Sequence, residues 1–155
     1  MSVMKNYTLW PFWIDTHVTP PMIKKGDGFV YDGSGKKIKY YNDVPDILEK
    51  LKSEGYSLGI ASRTEWPEGA KQLLKLLDWE KYFEFPEIYP GRKTTHFKRF
   101  QEKTNYKYQH MLFFDDEERN IRDVRQLGVT SILVPNGISH HMLKEGLNQF
   151  ARNNQ

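Results

Sequence analysis

The chain has 155 residues, 38% of them hydrophobic and 28% charged, with a formal net charge of +3. That profile fits one ordinary globular domain and argues against both wholesale disorder and a nucleic-acid partner. The absence of cysteine excludes disulfides, thiolate metal sites and cysteine nucleophiles. No apolar run approaches the roughly 20 residues of a membrane span, and the first residues lack the apolar core of a secretory signal. The expectation is a cytoplasmic protein that does not engage a membrane, with its oligomeric state left open.

Residues 10–28 read as irregular, interrupted by Pro11, Pro20, Pro21, Gly26 and Gly28. Phe29–Tyr31 and Ile38–Tyr41 read as the arms of a hairpin around Asp32-Gly33-Ser34-Gly35. Its lysines, Lys36, Lys37 and Lys39, form the densest basic cluster and read as a solvated surface. From residue 42 the pattern becomes regular. Asn42 or Asp43 is placed to cap a helix whose Val44, Ile47, Leu48 and Leu51 make one apolar stripe, and Gly55 ends it. A short apolar strand, Tyr56 to Ala61, runs into Ser62 and Arg63, and Pro67 opens a helix with Ala70, Leu73, Leu74 and Leu77 on one face.

A weaker strand is expected at Phe83–Ile88, then a loop, then a helix from about Thr95 to Lys103. His110–Phe114 is a second strong strand that runs into Asp115-Asp116. A helix carrying Ile121, Val124 and Leu127 stops at Gly128, Thr130–Val134 is a further strand, and Ser139 caps a last helix through Leu143, Leu147 and Phe150. Strands alternating with helices of this length predict an α/β domain, a mainly parallel sheet covered on both faces. No repeat or linker divides the chain, so residues 1–155 are expected to form a single domain.

Ligands of such folds bind outside the carboxyl ends of the strands. At those ends stand Ser62-Arg63-Thr64 and Asp115-Asp116-Glu117-Glu118, and between them the loop Tyr89-Pro90-Gly91-Arg92-Lys93 brings two cations beside a glycine. A hydroxyl and cations suit a phosphoryl group, and carboxylates suit Mg²⁺. Taken singly, Ser62 reads as a turn cap and Lys93 as a solvated lysine. Two carboxylates directly after five apolar residues repel each other unless a cation or donors compensate them. Together the three pieces point to a phosphate site.

The order of these pieces resembles the haloacid dehalogenase superfamily of phosphohydrolases, and more narrowly its eukaryotic magnesium-dependent phosphatases. The matching strings are Tyr7-Thr8-Leu9-Trp10-Pro11-Phe12-Trp13, Asp15-Thr16-His17, Ala61-Ser62-Arg63-Thr64, Ile88-Tyr89-Pro90-Gly91, Lys93 with Thr95-His96-Phe97, and Phe113-Phe114-Asp115-Asp116-Glu117 with Arg119-Asn120. The resemblance implies a Rossmann-like three-layer sandwich, with residues of about 10–41 forming a small cap of loop and hairpin inserted after the first motif. It implies hydrolysis of phosphomonoesters, with tyrosine phosphate and phosphorylated sugar adducts on proteins as substrate classes. In the family the first aspartate of Asp-x-Asp attacks phosphorus to form an aspartyl-phosphate, and the second serves as acid and base. Mg²⁺ neutralises the phosphoryl charge. Carried over by motif, Ser62 and Lys93 hold phosphoryl oxygens, Arg63 contacts substrate, and Asp116, with Asp115 beside it, holds the metal.

The departure is at the start. Counting back from Tyr7-Thr8, the family's aspartates fall on Met4 and Asn6. A thioether is not a phosphoryl acceptor of this kind, and an amide does not shuttle protons near neutral pH. The expectation is therefore an impaired or inactive homologue that binds Mg²⁺ weakly. Only Met1-Ser2-Val3-Met4 precede Lys5, so the central first strand is expected to be truncated, leaving the sheet weakened or patched by these few residues. An alternative or mistaken N-terminus of an active phosphatase is the preferred explanation. A genuine inactive homologue and a non-catalytic binder of phosphorylated small molecules or phosphoproteins are the rivals. Ser62 lacks the flanking glycines of a serine-hydrolase elbow, and the adjacent His140 and His141 cannot face one metal from a helix.

Overall fold

A computed structural model of the chain describes residues 2–4 and 6–155, with side chains described from Thr8 onward. In chain order the first elements are β1 (Ser2–Met4), α1 (Asn6–Leu9), α2 (Ile14–His17), β2 (Ile23–Lys24), β3 (Val30–Tyr31), α3 (Val44–Ser53), β4 (Leu58–Ser62) and α4 (Pro67–Leu76). Then follow β5 (Phe83–Ile88), α5 (Lys93–Thr104), β6 (Leu112–Asp115), α6 (Glu118–Arg125), β7 (Thr130–Leu133) and α7 (His140–Asn153).

Among the described residues, five strands make one sheet in the order β5-β4-β1-β6-β7, all paired in parallel. Side chains alternate across a strand, so each strand feeds two cores. Leu58, Ile60, Leu112 and Phe114 enter one with Val44, Ile47, Leu48 and Leu51 of α3, Ala70 and Leu73 of α4, and Leu143 of α7. Ala61 and Phe113 enter the other with Phe97 and Phe100 of α5 and Ile121 and Val124 of α6. The result is the three-layer sandwich that the apolar stripes predict.

The central strand is present as three residues. Ser2, Val3 and Met4 pair with Leu58, Gly59 and Ile60 on one side and with Leu112, Phe113 and Phe114 on the other. Short as it is, this segment bridges β4 and β6 and gives part of each inner edge a ladder partner.

Two local expectations are corrected. The arm Ile38–Tyr41 is not a strand: β3 pairs antiparallel with β2, and the returning chain contributes a bridge at Lys37 and a bond from the Ile38 N–H to the Val30 carbonyl. The Asp32 carboxylate closes the intervening loop by accepting from the Ser34 hydroxyl and from the N–H groups of Thr19, Ser34 and Lys36. The second correction concerns Asp43, which precedes α3 without capping it. Its carboxylate accepts instead from the His140 N–H at the start of α7, at 3.0 Å, so it fastens two distant helix starts. Ser139 does cap α7, its hydroxyl accepting from the Met142 N–H at 3.2 Å.

Candidate active site

The register of β1 fixes the geography. Met4 lies level with Ile60 and Phe114, two residues short of Ser62 on one neighbour and of Asp116 on the other. Ser62, Arg63, Asp115 and Asp116 thus converge at the carboxyl end of the sheet, around the end of β1, where a crevice forms in folds of this kind. The side chains of Met4 and Asn6 lie outside the described residues.

On the β4 side, Ser62 is buried, and its hydroxyl accepts from the Thr64 N–H at 3.3 Å. The Thr64 hydroxyl in turn accepts from the Trp66 N–H, so two successive side chains fold the strand end into a tight turn. Asp15 of α2 accepts from the Glu65 N–H at 2.9 Å, which docks the N-terminal loop onto this turn. Between them opens a cleft of about 290 Å³ lined by Trp13, Asp15, Ser62, Arg63, Glu117 and Arg119, among others.

On the β6 side the two aspartates do different things. Asp115 is fully buried; one oxygen accepts from the Glu117 N–H at 2.9 Å and the other from the Asn120 side-chain amide at 3.1 Å. The Asn120 carbonyl oxygen then accepts from Arg63 Nη1 at 3.3 Å. A single chain of hydrogen bonds therefore runs from the end of β6 to the arginine at the end of β4. Asp116, half-buried, stands one residue further along.

Lys93 was expected on a loop. It is instead the first residue of α5 and is only 1% exposed. Its ammonium donates to the Ala61 carbonyl and lies 5.9 Å from the centre of the Phe113 ring. One turn later, His96 is fully buried. Its Nε2 lies 2.9 Å from the carbonyl oxygens of both Ser62 and Tyr89, and its Nδ1 lies 2.9 Å from that of Arg92. The Tyr89 ring stacks on it at 4.4 Å. Burial first, and then the neighbouring Glu87 carboxylate, push the Tyr89 phenol up to about 12.

The sequence-predicted residues Ser62, Arg63, Lys93, Asp115 and Asp116 are thus gathered at one end of the sheet. Asn120 and His96 had no assigned role, because their partners lie 57 and 34 residues away in sequence. The aromatic run divides in two. Trp10 is core, stacked on Phe12 and Trp79, whereas Trp13 is 51% exposed and stacks on His17 beside the cleft.

Oxygen donors at the end of β6 suit a hard cation. Among the described residues, no group of three histidine, aspartate or glutamate side chains gathers around one point. Asp115 is fully buried and Asp116 only half-buried, so Asp116 is the carboxylate that an incoming metal ion reaches more readily. That donor set fits Mg²⁺ held partly by its ligand's phosphate oxygens, since the ion commonly binds through one or two carboxylates plus phosphate.

The chain is similar to known phosphatases in sequence and in fold. A family model described as Acid Phosphatase matches residues 6–153. Human magnesium-dependent phosphatase 1 is 52% identical over 147 residues, covering 95% of this chain and 84% of the human one. A HAD-like hydrolase superfamily protein of Schizosaccharomyces pombe is 41% identical over 136 residues, with 81% and 78% covered. Among solved structures, the N-terminal part of a Bacteroides fragilis protein, containing a phosphatase domain complexed with Mg, superposes with a TM-score of 0.65 at 15% identity, covering 99% of this chain and 39% of that one. A HAD family enzyme of Bacteroides thetaiotaomicron, in complex with magnesium and inorganic phosphate, superposes with a TM-score of 0.58 at 22% identity, covering 70% and 60%. At these identities the two structures speak for the fold.

Proposed function

The chain belongs to the acid phosphatase family, with the magnesium-dependent phosphatases of the haloacid dehalogenase superfamily, and we propose that it keeps the family's phosphate-binding apparatus while its turnover is impaired. The carrying observation is the convergence of Ser62, Arg63, Lys93 and Asp116 on the end of β1, where the sequence supplies Met4.

In this reading, Lys93 and the Ser62 turn hold the oxygens of a phosphoryl group, with the buried ammonium acting in a low-dielectric setting that strengthens its pull. Arg63, steadied by Asn120, contacts the ester side of the substrate. Asp116 would hold Mg²⁺, which when bound neutralises charge on the phosphoryl oxygens. Met4 supplies no nucleophilic oxygen, and Asn6 cannot protonate the leaving group. Binding without efficient hydrolysis follows.

The substrate class we infer is phosphorylated protein, a phosphotyrosine or a phosphorylated sugar adduct, rather than a small metabolite. Residues 22–41 carry five lysines against two aspartates, a surplus of three that equals the net charge of the whole chain. Both aspartates are occupied within the loop, Asp27 by the Tyr31 hydroxyl and the Phe29 N–H, Asp32 as described. The uncompensated charge of this stretch favours an anionic protein surface as the bearer of the phosphate.

Calorimetry with inorganic phosphate and Mg²⁺ tests the reading. Saturable binding is expected from the parent chain, weakened about tenfold or more by Arg63→Ala or Lys93→Met, the scale of losing a charge-assisted hydrogen bond. A folded parent chain that binds no phosphate, or variants that bind it unchanged, would refute it. The rival reading, a dedicated non-catalytic binder, draws on the same residues and gains ground if restoring the two aspartates yields no turnover.

A further inference from the structure

We propose that His96 is a positioning residue of the phosphate site, its ring tying the carbonyls of Ser62, Tyr89 and Arg92 into one unit that sets where Ser62 and Lys93 stand. The inference rests on the phosphate-site reading and deepens it.

Three strands of observation meet at this ring. It joins the end of β4, the loop after β5 and the residue preceding α5 at 2.9 Å each. Those are the segments that carry Ser62, Tyr89 and Lys93. The ring is completely buried and clamped by the Tyr89 ring lying nearly parallel to it, at an interplanar angle of 11°. Every polar partner of the ring named here is a carbonyl oxygen, an acceptor only. A neutral imidazole has one N–H and one lone pair, so in either tautomer one nitrogen would turn its lone pair onto a carbonyl. The imidazolium, with two N–H groups, satisfies all three: Nδ1–H donates to Arg92, and Nε2–H is shared between Ser62 and Tyr89.

The unit is therefore tightest when the ring is doubly protonated. Burial first, and then the Lys93 ammonium, pull the ring below its ordinary pKa of 6.5, and the carbonyls oppose them. The complete clamp is the acid form. Few other titratable groups face the ring. The end of β4 presents the Ser62 backbone, the loop after β5 presents Tyr89 with its phenol at about 12, and α5 presents Lys93. The phenol therefore stays neutral between pH 5.5 and 8.

Sulfate is the probe, because it stays a dianion across that window while phosphate does not. The folded parent chain is titrated with sulfate at pH 8 and pH 5.5, beside His96→Phe, which keeps an aromatic ring against Tyr89 but offers no donor, and His96→Gln, which offers an amide donor without a ring. The expected result is parent affinity that rises from pH 8 to pH 5.5 as the ring approaches its lowered midpoint. His96→Phe should be about tenfold weaker there, with the pH response flattened, and His96→Gln should be intermediate and equally flat. A folded His96→Phe that binds like the parent, with the parent's pH response, overturns the proposal. Should His96→Phe fail to fold, the Gln variant decides: a flat response supports the clamp and a parental one overturns it. If the parent binds no sulfate at either pH, the phosphate-site reading falls separately. The clamp is then judged by ring-nitrogen NMR at pH 5.5, where slow exchange of the ring N–H supports it and exchange as fast as that of exposed His17 overturns it.

Discussion

Replacing Asp115 with alanine separates the two aspartates at the end of β6. The side chain is completely buried, and its oxygens accept from the Glu117 N–H and the Asn120 amide. Alanine would leave two donors without their acceptor in a site that water cannot readily enter. Each such group costs about 1–3 kcal/mol, so the variant should lose roughly 2–6 kcal/mol. For a chain of this length that corresponds to a fall in Tm of roughly 5–20 °C. Asp115→Asn keeps one oxygen acceptor but turns an NH₂ towards the other donor, so about half of that loss is expected. Asp116→Asn should behave differently. It removes a like charge beside Asp115, so stability should change by less than about 1 kcal/mol, while Mg²⁺ affinity in the presence of phosphate falls more than about tenfold, a loss that even outer-shell partners can cause. Urea melts of the three variants beside Mg²⁺ calorimetry separate the roles. An Asp115→Ala protein within about 1 kcal/mol of the parent would refute the assignment of Asp115 to structure.

Three further predictions concern the frame around the site. Trp79 is 4% exposed, stacks on Trp10 and meets Tyr40 edge-on at 5.0 Å; Trp79→Ala should cost about 3–5 kcal/mol in a urea melt. Gly137 has φ +80, and a Cβ there would sit 2.2 Å from the Tyr41 ring. Gly137→Ala should therefore lose about 1–3 kcal/mol by the same measurement, and a neutral result would contradict the close packing. The Asp32 carboxyl is held at about 2 against an ordinary 3.8, first by the Ser34 hydroxyl and then by the Thr19 N–H. Because the folded value is the lower one, its contribution to stability is complete above about 4 and is lost as the pH falls through 2. A carboxyl NMR titration should find its midpoint near 2, and a midpoint near 4 would contradict the loop geometry.

The layers of the fold were legible because burial writes itself into short-range pattern. Leu58–Ser62 and Leu112–Asp115 are apolar on both faces of the sheet, and α3 and α4 show the stripes that pack onto it. The candidate site was legible for a related reason: in a parallel sheet the residues that meet a ligand stand at the strand ends, as Ser62 ends β4 and Asp116 follows β6. Residues that act through long-range partners were not. Asn120 and His96 lie on helices at unremarkable positions, and only the tertiary structure brings them to Arg63 and to the Ser62 carbonyl. Lys93 read as a solvated loop residue because its burial depends on how α5 docks, which local pattern does not encode. The stretch 38–41 read as a strand for its alternation, yet the short ladder formed at β2 instead, where Gly28, at φ +85, completes the turn. Asp43 has the chemistry of a helix cap, but the nearer geometry gave its carboxylate to α7.

The most direct test of the central claim is hydrolysis of para-nitrophenyl phosphate with Mg²⁺, by the parent chain and by Met4→Asp/Asn6→Asp, both shown to be folded by circular dichroism. The account predicts no turnover by the parent and Mg²⁺-dependent turnover by the double variant. Mg²⁺-dependent turnover by the parent chain would contradict it, because the nucleophile would then have to lie elsewhere than the end of β1.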